Sequence, residues 1–430
     1  MAKVARRDTT APEDWAETAQ AIGRRARAAA RQLAAAGTNV KNAALKAMAD
    51  SLRSRDAEIL EENGVDVAAA KQAGTSAALL DRLALTRDRL EKMARSLDEI
   101  IELRDPVGEI LEGYVRPNGL QIQRVRVPLG VVMVIYESRP NVTSDVAALC
   151  LKSGNAAILR GGKEALRSNL AIHRALAEAV QTQGLPAEAV QMIDNPDREL
   201  LTALLKESRY IDVIVPRGGE ELIRAVAQES VIPVIKHYKG VCHVYVDDLA
   251  DLDMAEAICF NAKVQRPATC NAMETMLVHK NVAARFLPRI CRRLTEAGVE
   301  IRGCERTRRI WPAAKRAAEE DWYAEYLDLV LAVRVVDNVQ GAIDHIAEYG
   351  SNHTDAIVSE DIRHVQQFIR DVDSSSVMVN TTTRFADGGE YGLGAEVGIS
   401  TDKLHARGPM GCRDLTTYKW LVFGTGQLRT

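Results

Sequence analysis

From Val131 to about residue 235 the sequence alternates short apolar runs, turns and helix-length stretches. Val131-Val-Met-Val-Ile135 and Ala156-Ala-Ile-Leu159 have no polar face, and the second runs into Arg160-Gly-Gly-Lys163 and a helix through Val180. Ala189–Ile193 precedes a helix over about 197–208, and Ile211–Val215 leads through Pro216-Arg-Gly-Gly219 to a helix from Glu220. Strands that are apolar on both faces belong in a parallel sheet covered by helices on either side. Alternating βα units therefore predict a doubly wound α/β sheet with ligands at the carboxyl ends of its strands. A second α/β series runs from Val241 to about Asn380, and a polar segment over 381–394 ends in a glycine-dense loop.

At 430 residues the chain exceeds what one hydrophobic core supports, which predicts at least two domains. Lys and Arg number 56 against 59 Asp and Glu, a net charge of −3. That balance leaves no basic footprint, so neither nucleic acid nor an anionic membrane is expected as a partner. With 47% hydrophobic and 27% charged residues, the composition is that of a globular protein rather than a disordered one. No apolar run approaches the roughly 20 residues of a membrane span. Met1–Asp8 lacks a signal-peptide core, and a cytoplasmic location is the expectation. Seven cysteines without a C-x-x-C pair exclude a zinc ribbon or thioredoxin motif and disfavour a disulfide framework.

The first hundred residues read as a helical layer. Thr10-x-x-Glu13 with Pro12 has the form of a capping box, and the alanine-rich run after it ends at Gly37. Thr38 is placed to cap the next helix, further stretches end near Gly64 and Gly74, and Thr86 caps a last helix through Leu103. Tyr114–Val127 then alternates around Asn118-Gly119, a strong hairpin signal. Its phase flips between Ile122 and Val125, which predicts a bulge or a passage into different surroundings. Thr416–Phe423 reads as a strand that pairs with this hairpin.

The common catalytic motifs fail. Gly392-Leu-Gly394 has Val397 where a third glycine belongs, and Gly162-Lys163 is followed by Glu164 where a Walker loop needs Ser or Thr. Cys150, Cys242, Cys259 and Cys291 lie in apolar or helical runs and read as core. Cys270 differs, because Gln265–Glu274 is a polar turn between a helix (254–263) and a strand (275–279). A thiol there, with Arg266 close in sequence, has the setting a nucleophile requires. On residues alone an incidental loop thiol is an equal reading, since Cys304 and Cys412 also sit in polar stretches. Two basic glycine turns, with Arg160 and Lys163 in one and Arg217, Gly218 and Gly219 in the other, suit the phosphates of a dinucleotide.

Several segments together carry a resemblance. Tyr136-Glu-Ser-Arg-Pro-Asn-Val-Thr-Ser-Asp145, Val215-Pro-Arg-Gly-Gly219, Val234-Ile-Lys-His-Tyr-Lys-Gly240, the Cys270 turn, Ser351-Asn-His-Thr-Asp-Ala-Ile357, Leu404–Gly411 and Leu415–Trp420 run in order along the chain. In these the sequence resembles the γ-glutamyl phosphate reductases, a proline-biosynthesis branch of the aldehyde dehydrogenase superfamily. The resemblance implies an aldehyde dehydrogenase-like α/β fold: two doubly wound parallel-sheet domains plus a β-strand oligomerisation flap. The cofactor-binding domain would span 1–104 and 129–235, the catalytic domain 236–400, and the flap 105–128 and 401–430.

It also implies NADPH/NADP+ as cofactor, L-glutamyl 5-phosphate as substrate and a homo-oligomer, with a transient contact to a glutamate 5-kinase as a possible partnership. Cys270 would be the nucleophile, Asn141 an oxyanion donor and Glu325 the nicotinamide-ribose contact. Lys163 stands where the superfamily often has a ribose-binding glutamate, and a cation there suits a 2′-phosphate. Arg139 and Arg266 are the candidates to grip the substrate carboxylate. Hydrolytic members of the superfamily carry a water-activating glutamate one strand before the cysteine. Here that position falls near Lys236-His237, without a carboxylate. The alternatives are a coenzyme A-dependent acylating aldehyde dehydrogenase and an inactive nucleotide-binding scaffold.

Overall fold

A computed structural model describes residues 14–429. The chain divides into two compact units, one of Met1–Gly218, Arg224–Val234 and Leu415–Thr430, the other of Gly219–Ile223 and Ile235–Asp414.

In the first unit, the helix Trp15–Ala35 is capped by Asp14, whose carboxylate accepts from the N–H groups of Ala16 and Glu17. The expected box of Thr10, Pro12 and Glu13 lies outside the described residues. Thr38 opens the helix Thr38–Ser54 but does not cap it; Gly37 holds the cap position, and the Thr38 hydroxyl donates to Asp105 at 2.8 Å. The helix Asp56–Gln72 runs straight through Gly64, where an end was expected, and Gly74 in the left-handed region (φ 75°) follows its close. Thr86 caps Arg87–Glu102 by accepting from the Arg89 N–H.

Strands β1 (Ile110–Val115) and β2 (Gln121–Pro128) form the antiparallel hairpin, with Gly119 at φ 86° in the turn. The bulge falls on β1, between Ile110 and Glu112 opposite Val125 and Arg124, and not within β2 as the phase flip suggested. Strands β3 (Val131–Tyr136), β4 (Ala156–Arg160), β5 (Val190–Met192) and β6 (Val213–Arg217) make a parallel sheet in the order β5-β4-β3-β6. Every residue of β3 is buried, as its apolar run requires.

The second unit holds β7 (Cys242–Val246), β8 (Met273–His279), β9 (Glu300–Gly303), β10 (Lys315–Arg316), β11 (Val330–Val336), β12 (Thr354–Val358) and β13 (Ser376–Val379). They form one seven-stranded sheet in the order β10-β9-β11-β8-β7-β12-β13, parallel throughout. A short antiparallel pair, β14 (Gly398–Ser400) and β15 (Gly408–Met410), also belongs to this unit. Residues 401–414 therefore go with the second unit, where the flap was expected to begin at 401; Gly408–Met410 pair with β14, and the strand that joins the hairpin starts at Thr416. Only β16 (Thr416–Phe423) joins the hairpin, pairing antiparallel with β2 from Thr416↔Pro128 to Phe423↔Gln121. No helix among the described residues is long and apolar enough to cross a membrane.

Candidate active site

In the first unit, three neighbouring strands end together. The register places Ile135 beside Arg160 and Tyr136 beside Arg217, so the turns after β3, β4 and β6 share the carboxyl edge of the sheet. Arg139, Asn141, Arg160, Lys163, Arg217 and Gly218 all stand on those turns. Gly219 begins the short segment grouped with the second unit, and a Cβ on it would meet no atom within 4 Å.

The turn after β4 is suited to an anion. A Cβ on Gly161 would lie 2.0 Å from Nδ2 of the buried Asn169, so a larger residue here would have to displace that side chain. Arg160 donates to the Pro196 carbonyl at 3.0 Å, while its buried Nε has no partner. Burial pushes the Arg160 pKa down and the Arg198 charge lowers it further, while the Glu164 carboxylate opposes both. Lys163 is exposed.

Sequence reasoning missed Glu164 beside it. Burial works against its charge, yet the Ser138 hydroxyl (2.6 Å) and N–H (2.9 Å) hold its carboxyl below the usual range. These bonds fix Ser138 at φ 30°, a strained conformation of the kind that clusters at functional turns. Asn141 opens the helix Asn141–Lys152 and is exposed, with its amide donating to Asp145 at 3.0 Å. Burial pushes the Asp145 carboxyl up to about 6, against hydrogen bonds from Asn141 and Ser96.

In the second unit, Cys270 is half-buried on the turn between the helix Leu252–Val264 and β8. Its backbone is gripped from several directions. Gly240 passes so close that a Cβ there would sit 1.8 Å from the Cys270 carbonyl oxygen. The Cys242 thiol donates to the same oxygen at 3.2 Å, a role the core reading of Cys242 did not foresee. The next residue, Asn271, donates to the Ala386 carbonyl at 3.0 Å. Lys263 and Glu274, both fully buried, close the base of the turn with a 2.6 Å ion pair. Of the other two thiols in polar stretches, Cys412 is buried and Cys304 lies against the Thr307 hydroxyl at 3.3 Å.

Around the Cys270 sulfur the unit gathers cations and imidazoles. A ring nitrogen of His237, a ring nitrogen of His353 and Cys270 Sγ all lie within 4.8 Å of one another. Arg384 is half-buried, bonded through Nε to Gln265 (2.8 Å), and its buried Nη1 has no partner. Burial lowers its pKa most; Arg266 lowers it further and the nearby Cys270 opposes this. Arg266 itself is exposed. Glu325 accepts at 2.9 Å from the N–H of Gly240, two residues before Cys242; burial raises its pKa. The second unit thus brings Cys270, Arg266 and Glu325 together. Arg384, absent from the sequence-based candidates, joins them from a loop more than a hundred residues away.

Comparisons with known proteins identify the family. The model of the aldehyde dehydrogenase family matches residues 7–320. Curated γ-glutamyl phosphate reductases of Geobacter metallireducens and Thermodesulfovibrio yellowstonii are 55% and 54% identical, over 96% and 94% of this chain and 99% and 97% of their own lengths. The crystal structure of the γ-glutamyl phosphate reductase of Thermotoga maritima superposes with a TM-score of 0.94 at 46% identity, covering 96% of this chain and all of that one. An acetylating aldehyde dehydrogenase of Geobacillus thermoglucosidasius, 17% identical with a TM-score of 0.69 over 97% of this chain and 98% of its own, shares the fold. The chain belongs to the aldehyde dehydrogenase family and, within it, to the γ-glutamyl phosphate reductases.

Proposed function

We propose that this protein reduces L-glutamyl 5-phosphate to L-glutamate 5-semialdehyde and phosphate, the second step from glutamate to proline. The observation that carries the reading is Cys270: a half-buried thiol on a turn clamped by Gly240, Cys242 and Asn271, with guanidinium groups for an anionic substrate close by. The Cys270 sulfur attacks the acyl carbon and phosphate leaves, giving a thioester. NADPH, when bound, supplies the hydride that turns the thioester into a thiohemiacetal. The Asn141 amide and the Cys270 N–H stabilise its oxyanion, and collapse frees the aldehyde and the thiol.

The two basic glycine turns serve the cofactor. Arg160, Arg217, Gly218 and Gly219 take the pyrophosphate, and Lys163 takes the 2′-phosphate that distinguishes NADP(H). Glu325 holds the nicotinamide ribose. Arg266 and Arg384 grip the substrate α-carboxylate, a pairing that suits the unpartnered Arg384 Nη1; Arg139 is a further candidate for the same role. Arg384→Lys is expected to raise the KM for the semialdehyde about tenfold or more, since a lysine loses the planar fork. The hairpin with β16 forms an intersubunit flap. Because an acyl phosphate is labile, the kinase that makes it is the natural transient partner.

The decisive assay follows NADP+ reduction by glutamate semialdehyde with phosphate, with coenzyme A, and with neither. Sustained turnover only with phosphate supports the proposal. Turnover only with coenzyme A would favour an acylating aldehyde dehydrogenase instead.

A further inference from the structure

The cluster of His237, Cys270 and His353 asks for a role, because the reaction above needs a proton to move where no residue has been assigned to it. When a thiol displaces phosphate from an acyl phosphate dianion, the departing group is the strongly basic phosphate trianion unless it is protonated. The thiol proton is the one available, so an atom beside the sulfur must carry it across. The two imidazoles differ in fitness for this.

His353 is fully buried, with Nδ1 against the Thr354 hydroxyl at 2.9 Å and Nε2 without a partner. Burial lowers its pKa even though Glu325, Glu396 and Asp355 lie in range to favour its charge. It packs edge-on to His237 with ring centroids 5.4 Å apart.

His237 is half-buried and sits on the irregular segment before Gly240. Its Nδ1 lies 3.0 Å from the Ile399 carbonyl oxygen. A carbonyl only accepts, so Nδ1 carries the hydrogen and Nε2 carries the lone pair. The neighbouring charges are already disposed: Lys236 pairs with Asp402 at 3.1 Å, and Arg384 and Arg266 stand by the Cys270 side. Those two guanidiniums oppose a divalent cation on the same three ligands, so the cluster handles a proton rather than a metal.

We propose that His237 is the proton partner of Cys270. Nε2 accepts the thiol proton as the C–S bond forms, and the imidazolium keeps its Nδ1–H bond to Ile399. As the acyl C–O bond breaks, the same proton passes to the departing oxygen, so that thiol and acyl phosphate dianion become thioester and hydrogen phosphate. After hydride transfer, collapse of the thiohemiacetal alkoxide releases aldehyde and thiolate, which regains one proton from water. This assignment rests on the reductase reading and adds to it the residue that carries the proton.

The test is His237→Asn, whose side-chain amide preserves a donor to Ile399 but has no basic lone pair. We expect kcat to fall about 10²- to 10⁴-fold, as for loss of a general acid–base group, with the KM for NADP+ and the melting temperature near wild type. The pH–rate profile should lose its acidic limb, and added imidazole should restore part of the activity of His237→Ala. Wild-type kcat and pH profile in His237→Asn would overturn the proposal. If His237→Asn folds poorly, His237→Gln with the same rescue by imidazole of the alanine variant decides, and absence of both defect and rescue counts against it. Cys270→Ser separates the two levels. A fully active Cys270→Ser removes the thiol mechanism itself, whereas an inactive Cys270→Ser beside an unimpaired His237→Asn removes only the histidine.

Discussion

Gly240 lies so close to Cys270 that a single methyl group on it would stand 1.8 Å from the Cys270 carbonyl oxygen. The contact is backbone against backbone, so no side chain can rotate away to relieve it. Gly240→Ala must push the Cys270 turn aside, and a displacement near 1 Å at a reacting atom costs about 10²-fold in rate. We expect that loss in kcat, with NADP+ binding intact. Steady-state kinetics together with cofactor titration on the purified variant check it.

Lys163 sets the cofactor preference in this account. It is exposed at the carboxyl edge of the first sheet, while the carboxylate next to it, Glu164, is occupied by Ser138. Lys163→Glu should shift the ratio of kcat/KM from NADP+ toward NAD+ by about tenfold or more, the size of one lost charge-assisted contact. An unchanged ratio would mean another residue reads the 2′-phosphate.

Asp145 gives a pH dependence of known sign. Its folded pKa is raised to about 6 by burial, above the roughly 3.9 of an unfolded aspartate. Folding therefore favours the protonated form, and the associated stability is present below about pH 4 and lost as pH rises through about 6. Asp145→Asn cannot titrate. The melting temperature of the variant minus that of wild type should grow between pH 4 and pH 7 and level off above. A difference that stays flat across this range would contradict the assignment.

The flap predicts an assembly. Tyr114, Val115, Tyr418, Trp420, Val422 and Phe423 are all exposed on the β1-β2-β16 sheet, a concentration of apolar surface that favours association. Light scattering should give a dimer or larger, and a chain ending at Asp414 should give a lower mass.

Much of this architecture is legible in the sequence because parallel strands buried on both faces must be apolar throughout. Val131–Tyr136 declares itself in that way. The Cys270 turn is legible for the opposite reason, as a polar island between a helix and a buried strand. What fails is whatever depends on residues far apart in the chain. Arg384 reaches the Cys270 region through Asn271 and Gln265, and the Cys242 thiol through a turn 28 residues on. Neither spacing has a local signature. Gly64 misled for an energetic reason: a glycine costs about 1 kcal/mol in a helix interior, which the buried Ile59, Asn63 and Ala70 contacts around it offset. The phase change in β2 left open a bulge or a change of surroundings; the irregularity of the pair lies in β1, between Ile110 and Glu112, while β2 pairs with β16 in unbroken register.

The central claim is that Cys270 carries the acyl group between the phosphate and the hydride. It is tested most directly by mixing the protein with glutamate semialdehyde and NADP+ without phosphate, quenching within the first turnovers, and weighing the peptide that contains Cys270. We expect a burst of NADPH that stops after about one turnover, with a glutamyl thioester on Cys270 that phosphate then discharges. An unmodified Cys270 peptide alongside continuous, phosphate-independent NADPH formation would contradict it.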